Sequence, residues 1–468
     1  MKNVQAIYLS SSERPGMAAG FSTFIKEMLL TEEYNQVIFM KKILTSVAGI
    51  LILLSNILLL PAQEIIEPVI KGITDKSPLS YNIGEEMVFS FKLEAEYSRK
   101  KNTYLKYFRR GDDGNIFSDE VPADRDLVLK TSLDRAGFVG IDLFWVDNNG
   151  KNILNNGKKV AFYAGAGVQP ETLQDCGEPS DFDDFWAKQR AKLDGVPFKD
   201  NIEKILLFTK GNMSYYKVKV PCYGPRPLTA YLCMPTKSEP HSLKAEVHFM
   251  GYGAYKVTCP TIWPKKDRIT LVVNAHGMEL QQSDEYYKEF FASIRTEKYG
   301  YGFNPEENKN AETAYFHGMA MRALRALDYV KTLPEWDQKN LIAVGGSQAG
   351  LQTMWVTALD KDVTEAYPSI IWCCDMAGTE KKSRCHGGWR LKYFPALDYY
   401  DPVFMAKRIK NAKVVITRAG LGDYICPPSG LAVCYNNLAT PDKEIVWVQG
   451  SNHDFTPKNP QKVTWSTK

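Results

Sequence analysis

One short segment restricts the folds that this chain can adopt. It reads, from residue 341 to residue 351, LIAVGGSQAGL. A hydrophobic strand pattern runs into a turn of small residues around Ser347, and a helical pattern follows at once. This succession is typical of a nucleophile elbow, a sharp strand-to-helix turn that holds a serine hydroxyl exposed. Gly345 is the small residue that such a turn needs two positions before the serine, and Ala349 carries one methyl group where glycine is most common.

Strand and helix patterns alternate around this segment. Hydrophobic runs predict strands at residues 271–273, 341–344, 370–374, 414–417 and 445–448. Helical spacing of apolar residues predicts helices over residues 319–333 and 351–359, and a first helix capped by Ser180 or Asp181. The alternation indicates an α/β fold whose mostly parallel sheet binds its ligands at the carboxyl ends of the strands. We assign this fold to a catalytic domain over residues 169–468.

A serine nucleophile needs a base, and the base needs an acid that orients it. Asp423 follows the predicted strand 414–417, and His453 follows the predicted strand 445–448, which we expect to be the last strand of the sheet. The chain order of serine, acid and histidine is that of an α/β-hydrolase. We therefore expect Ser347, Asp423 and His453 to form a catalytic triad. The alternatives left open are two other acids and one other histidine: Asp375, Asp454 and His386.

Acyl transfer by a serine also needs two backbone N–H groups that stabilise the oxyanion. The first should belong to Gln348, the residue after the nucleophile. The second is expected in the loop after the predicted strand 271–273, where Met278 is the candidate. In the same loop, we expect His276 to be a structural hydrogen-bonding residue. This chemistry requires no cofactor and no metal ion, and the nine cysteines contain no C-x-x-C pair that would indicate a zinc or thioredoxin-like site.

The N-terminal segment has the pattern of a targeting signal. Met40 is followed by two lysines and then by an apolar run that extends without charge to Gln63. We predict a signal peptide over residues 40–62 with cleavage near Ala62, so that the mature protein is periplasmic or secreted and makes no stable membrane insertion. Retention as an uncleaved anchor is the alternative. Residues 1–39 are interpreted as a gene-model extension or a leader.

Residues 63–168 alternate with a period of two and contain no helical pattern. Apolar residues alternate from 87 to 93, from 127 to 131 and from 139 to 145, with turn residues between these runs. This pattern predicts a small all-β domain, an immunoglobulin-like β-sandwich. Trp145 is at a position that fits the core of such a domain. We favour a spacer or docking module over a glycan-binding module.

The balance of charges argues against one class of partner, and the positions of two cysteines indicate the state of their thiols. Lys and Arg total 58 against 54 Asp and Glu, a net charge of +4 that is too balanced for nucleic-acid binding. The adjacent Cys373 and Cys374 are in an apolar run, which predicts buried, inert thiols. Disulfide pairing among the other cysteines and assembly into a homo-oligomer are left open.

The chain resembles the acetylxylan esterase and cephalosporin-C deacetylase family over about residues 179–455. The residues that carry the resemblance are Gly345–Gln348, Asp423 with Cys426–Ser429, His453, Ser180–Trp186 and the segment from His317 to Leu341. Three departures stand beside it. They are Ala349 in place of the usual glycine, Met278 where a tyrosine commonly supplies the oxyanion amide, and the lack of a recognisable Arg-Gly-Gln segment between that loop and the elbow.

The resemblance implies an α/β-hydrolase that removes O-acetyl groups from xylose units of short oligosaccharides. Ser347 would then be the nucleophile of an acetyl-enzyme mechanism, Asp423 the orienting acid and His453 the base. An acetylated oligosaccharide is the expected substrate. Two alternatives remain: a peptidase or bulky-acyl esterase on the same fold, and a catalytically silent glycan-binding protein.

Overall fold

The structure is a computed structural model that describes residues 69–94, 97, 100–261 and 264–467. The predicted signal peptide, its cleavage site and the extension over residues 1–39 lie outside these residues. Among the residues that are described, no helix is both long and apolar enough to cross a membrane. All nine cysteines fall in the described ranges, where each is a free thiol, and Cys373 and Cys374 are buried as predicted.

The described chain begins with two antiparallel sheets. Their strands are β1 (Ile70–Thr74), β2 (Met87–Leu93), β3 (Thr103–Gly111), β4 (Phe117–Pro122), β5 (Leu127–Thr131), β6 (Gly137–Asp147), β7 (Leu154–Asn155), β8 (Lys158–Lys159) and β9 (Ala161–Val168). One sheet has the order β1-β2-β5 and the other the order β4-β3-β6-β9, while β7 and β8 form a short ribbon. Residues of both larger sheets share one hydrophobic cluster, and Trp145 is buried in it as predicted.

The described residues from 203 onward contribute a ten-stranded sheet. Its strands are β10 (Glu203–Lys210), β11 (Met213–Val220), β12 (Leu228–Pro235), β13 (Leu243–Phe249), β14 (Arg268–Val273), β15 (Trp336–Gly346), β16 (Glu365–Ser369), β17 (Lys413–Gly420), β18 (Lys443–Val448) and β19 (Lys462–Ser466). The spatial order is β10-β11-β12-β14-β13-β15-β16-β17-β18-β19. The strands from β14 to β18 in that order pair in parallel, which confirms the predicted α/β sheet.

Helices lie between the strands of this sheet. The α-helices of the described residues are α1 (Phe182–Asp194), α2 (Asp284–Ser293), α3 (Tyr315–Val330), α4 (Gln348–Leu359), α5 (Gly378–Lys381), α6 (Pro402–Ala406) and α7 (Pro428–Asn437). Four short 3₁₀ segments occupy Pro170–Thr172, Lys199–Asn201, Glu307–Lys309 and Pro395–Tyr400. Asp181 precedes α1 as predicted, but its carboxylate accepts a hydrogen bond from the Tyr399 hydroxyl instead of capping the helix.

Two features of the predicted sheet are wrong. Residues 370–374 are not a strand, because β16 ends at Ser369 and Ile370, Cys373 and Asp375 all have positive φ. This apolar run is buried beneath the nucleophile turn, so burial and not sheet pairing explains its composition. The strand before His453 is not the last one, because β19 returns along the edge of the sheet and pairs antiparallel with β18.

Candidate active site

Ser347 lies in a strained turn between β15 and α4. Its φ of 58° and ψ of −123° are unusual for a residue with a side chain, as expected for a nucleophile elbow. The turn is held from below, because the Ser347 N–H donates to the carbonyl of Ser369 (3.0 Å) and the Ser347 carbonyl accepts from the Trp372 N–H (3.2 Å). The side chain is half-buried at the N-terminus of α4, where positive charge of the helix dipole favours an anion.

Asp423 and His453 form a hydrogen-bonded pair. Oδ2 of Asp423 lies 3.0 Å from Nδ1 of His453. Oδ1 of Asp423 accepts from the backbone N–H groups of Ile425 and Cys426, each at 2.9 Å. Because the carboxylate is fully buried and its other oxygen is held by two amides, Oδ2 faces the imidazole. This arrangement favours the tautomer with the proton on Nδ1, in which Nε2 is the basic nitrogen.

Cys426 connects this pair to the nucleophile. Burial, together with the charge of Asp423, raises the pKa of the Cys426 thiol well above its usual range, and the nearby Ser347 side chain lowers it. The Sγ of Cys426, one ring nitrogen of His453 and one oxygen of Asp423 all lie within 4.8 Å of one another. Asp423 and His453 are therefore brought to one site, and Ser347 is near Cys426 at that site. The same spacing would suit a metal ion, although both oxygens of Asp423 already accept hydrogen bonds.

Two of the three alternative residues, Asp375 and His386, have other partners, and the third lies at the surface. Asp375 is paired with Arg384, and its side chain also accepts from the Cys176 thiol. Asp454 is exposed to solvent. Nδ1 of His386 lies 2.8 Å from the carbonyl oxygen of Gly387. Burial lowers the pKa of His386, so it remains neutral near pH 7.

The segment after β13 lies beside the nucleophile turn. The Gln348 side-chain amide donates to the carbonyls of Met250 (3.3 Å) and Gly251 (3.1 Å). Met278 follows β14, and its carbonyl accepts from the Thr229 hydroxyl. In the sheet, β13 borders β15, whereas β14 is one strand farther away. The oxyanion role expected of Met278 stays a prediction, and the segment after β13 is a second candidate because β13 borders the strand that precedes the nucleophile.

A buried hydrogen-bond network positions that segment. The Tyr301 hydroxyl accepts from the Gly253 N–H (2.7 Å) and donates to the Gln348 side chain (2.8 Å). His276 lies between the Tyr315 hydroxyl (2.9 Å) and the Gly253 carbonyl (3.0 Å). Burial lowers the pKa of His276 to about 3, so the ring stays neutral, in agreement with the predicted structural role. Sequence analysis missed Tyr301.

Aromatic side chains line the surface next to this site. The rings of Trp372 and Trp389 stack with centroids 5.1 Å apart, and Tyr252 meets Trp389 edge-on at 4.9 Å. Trp389 is 38% exposed, and Tyr255, which follows Tyr252 by three positions in the chain, is 40% exposed. The backbone N–H of Trp372 donates to the Ser347 carbonyl, and Trp389 stacks on Trp372. The exposed indole of Trp389 therefore lies near the nucleophile. No periodicity in the sequence indicated this cluster, which joins residues from separate loops.

Comparison with known proteins gives a consistent result. The model of the acetyl xylan esterase family (AXE1) matches residues 173–468. The curated acetyl esterase Axe7A of Xylanibacter ruminicola is 26% identical over 364 residues, which are 70% of this chain and 81% of that protein.

Solved structures share the fold. The acetyl xylan esterase from Paenibacillus sp. R4 aligns with a TM-score of 0.51 at 22% identity, over 61% of this chain and 93% of its own. Acetyl xylan esterase 1 from Thermoanaerobacterium sp. JW/SL YS485 aligns with a TM-score of 0.50 at 20% identity, over 61% of this chain and 92% of its own. Both likenesses confirm a fold of the α/β-hydrolase type.

Proposed function

The chain belongs to the acetyl xylan esterase family and is an ester hydrolase, and on that premise we propose that it removes O-acetyl groups from xylan-derived oligosaccharides through a Ser347–His453–Asp423 triad. The observation that carries the proposal is the buried Asp423–His453 hydrogen bond, linked through Cys426 to the strained Ser347. A buried carboxylate, an imidazole and an activated serine are the groups that acyl transfer to a hydroxyl requires.

The reaction proceeds in two steps. Ser347 Oγ attacks the acetyl carbonyl while Nε2 of His453 takes the hydroxyl proton, and the tetrahedral intermediate collapses when that proton passes to the departing sugar oxygen. The acetyl group is then bonded to Ser347. Water attacks the acetyl-enzyme with His453 again as the base, which releases acetate and restores the serine hydroxyl. Asp423 stabilises the imidazolium that forms in each step.

The oxyanion forms next to two backbone N–H groups. The first is that of Gln348 at the start of α4. We assign the second to the Met250–Gly253 segment, with Tyr252 as the donor, in place of Met278. Two hydrogen bonds of this segment support the assignment: Gln348 donates to the Gly251 carbonyl, and the Tyr301 hydroxyl accepts from the Gly253 N–H. They preorganise the backbone of the segment beside the nucleophile.

An exposed aromatic ring supports a sugar as the alcohol part of the ester. The exposed part of the Trp389 side chain offers apolar surface near the nucleophile, which suits the apolar face of a pyranose ring. The proposed substrate class therefore comes from the family and from this surface together.

The N-terminal sheets and the localisation complete the proposal. We assign residues 63–168 to an immunoglobulin-like β-sandwich domain and residues 169–468 to the catalytic domain, on the support of the hydrophobic cluster shared by the two N-terminal sheets. The signal peptide over residues 40–62 and a periplasmic or secreted location remain predictions from the sequence. N-terminal sequencing of the secreted protein tests both.

Acetate release from acetylated xylo-oligosaccharides is the decisive test. Release by the wild-type protein that is abolished in folded Ser347→Ala is the expected result. Butyryl and feruloyl esters, assayed beside the acetyl ester, distinguish the proposed activity from a bulky-acyl esterase. A fluorophosphonate probe that fails to label Ser347, together with no release from any ester, would favour the glycan-binding alternative.

A further inference from the structure

We infer that the N-terminal sheets are part of the catalytic apparatus. Strands β6 and β9 hold the loop of Asp423 and the loop of His453 in fixed positions relative to each other. The inference rests on the proposed triad. It assigns to these sheets a role other than that of a spacer or docking module.

The first observation is a pair of hydrogen bonds between β9 and the loop of His453. Gln449 directly follows β18, four residues before His453, and its side chain is buried. Its Oε1 accepts from the Gly165 N–H (2.9 Å), and its Nε2 donates to the Gly165 carbonyl (2.9 Å). β9 is an outer strand of its four-stranded sheet, so the Gln449 amide satisfies both backbone groups of Gly165 in the manner of an adjacent strand.

The second observation is a close backbone approach at the loop of Asp423. Gly140 of β6 and Gly165 of β9 are paired across the sheet. A Cβ atom on Gly165 would lie 2.1 Å from the Leu421 carbonyl oxygen, and one on Gly140 would lie 2.3 Å from Cε2 of Tyr424. Leu421 and Tyr424 stand on either side of Asp423. Glycine weakens a strand interior, so a glycine pair there indicates that close approach of another segment is required.

The fit is equally tight from the other side. A Cβ atom on Gly422, the residue before Asp423, would lie 2.4 Å from Cβ of Tyr163 in β9. A Cβ atom on Gly450, in the loop of His453, would lie 2.8 Å from the ring of Phe162. Consecutive residues of β9 therefore contact both loops, and neither loop can move toward the sheet.

A third contact reaches the loop of Asp423 indirectly. Asp112, just after β3, is buried and accepts from the Cys385 N–H (2.7 Å) and from the Phe138 N–H (2.8 Å). Two residues beyond Cys385, the Gly387 N–H donates to the Tyr424 carbonyl (2.7 Å). Asp112 thus ties the N-terminal sheet to a segment that itself supports the Asp423 loop.

These contacts matter because the Asp423–His453 hydrogen bond joins loops from two different strands. Catalytic groups must be held to within about 0.5 Å of the productive geometry, and a displacement of about 1 Å can cost on the order of 10²-fold in rate. Strands β6 and β9 form a common surface for both loops. Gly165, Gly140 and Gln449 are therefore positioning residues.

The test uses two variants of the full chain, Gly165→Ala and Gln449→Met. The methyl group of the first displaces Leu421, and the second removes both hydrogen bonds to β9 at nearly constant volume. We expect kcat for p-nitrophenyl acetate to fall roughly 10- to 100-fold in the folded variants. The downfield proton NMR resonance of the Nδ1–H shared by His453 and Asp423 should shift or disappear. Gln449→Glu keeps the acceptor for the Gly165 N–H, so its kcat should fall less than that of Gln449→Met.

A core variant of the same sheets is the matched control. Leu105 is fully buried in β3 within the shared cluster, and Leu105→Ala should lower Tm while kcat at 25 °C and the downfield resonance stay as in the wild type. A folded Gly165→Ala or Gln449→Met variant with wild-type kcat and an unchanged resonance would overturn the inference. Ser347→Ala separates the two proposals, because full activity in that variant overturns the triad itself. If Ser347→Ala is inactive, the triad stands, and kcat of the β9 variants then supports or overturns the positioning role.

Discussion

A Cβ atom on Gly345 would lie 2.6 Å from the Cβ of Ala349 and 2.5 Å from the Ala349 carbonyl oxygen. The elbow therefore has room for the methyl group of Ala349 only while residue 345 has no side chain. The departure from glycine at that position is compatible with the turn because Gly345 has no side chain. Alanine at position 349, in place of the usual glycine, is therefore no argument against a working nucleophile.

Gly345→Ala should disrupt the elbow. The added methyl cannot avoid the Ala349 backbone, so α4 or Ser347 must shift, and we expect loss of esterase activity on the order of 10²-fold or more. Acetate release and thermal unfolding measure the two effects. Gly195→Ala is the control, because Gly195 has right-handed helical φ and ψ and a Cβ there would meet only ordinary contacts. That substitution should be neutral or slightly stabilising.

The triad residues should differ in the size of their effects. Ser347→Ala removes the nucleophile and should lower turnover by on the order of 10⁶-fold. Asp423→Asn keeps the shape of the side chain but places an amide opposite Nδ1 of His453, which favours the wrong tautomer and should cost about 10⁴-fold. Acetate release at saturating substrate checks both values. An Asp423→Asn variant as active as the wild type would exclude Asp423 as the orienting acid.

Trp389→Ala should affect oligosaccharide substrates more than small esters. Loss of a stacking surface worth about 0.5–1.5 kcal/mol should raise KM for acetylated xylo-oligosaccharides by about 2- to 10-fold, with a smaller change for p-nitrophenyl acetate. The matched control is Phe208→Ala. Phe208 has the same exposed fraction of 38% and stacks on Tyr215, but it lies on β10 at the far edge of the sheet. Equal effects of the two variants on KM would exclude a sugar platform at Trp389.

Asp112 should make stability depend on pH. Burial raises the pKa of Asp112 from its ordinary value of 3.8 to about 6, so between these values the folded protein binds a proton that the unfolded chain has lost. The contribution of the Asp112 proton to the free energy of unfolding is complete below about pH 4. It is lost as the pH rises through about 6, a change of about 3 kcal/mol. The free energy of unfolding of the wild type relative to Asp112→Asn should therefore decrease from pH 4 to pH 7.

Urea unfolding of both proteins at a series of pH values measures this difference. Asp126→Asn, at an exposed position of the same N-terminal sheets, serves as the control and should follow the wild-type curve. A difference between wild type and Asp112→Asn that does not change with pH would contradict the prediction.

Local patterns in the sequence were sufficient for the elbow, for the chain order of Ser347, Asp423 and His453, and for the period-two strands of the N-terminal part. Each of these depends on residues close together in the chain: small residues in a sharp turn, apolar periodicity, and polar residues that follow a strand. The pairing of His453 with Asp423 instead of Asp375 became a geometric fact only in the folded chain, although the order of strands had pointed to it.

Tertiary structure alone decided which strands are neighbours and which loops meet. Nothing local distinguishes β13 from β14 as the strand beside β15, so the sequence could not show which of the two following loops is nearer to the nucleophile strand. Residues 370–374 have the composition of a strand because they are buried, and burial can be satisfied outside a sheet. The contact of Gly165 with Gln449 joins residues 284 positions apart in the chain. Such contacts are set by packing of distant segments, for which periodicity within one segment contains no information.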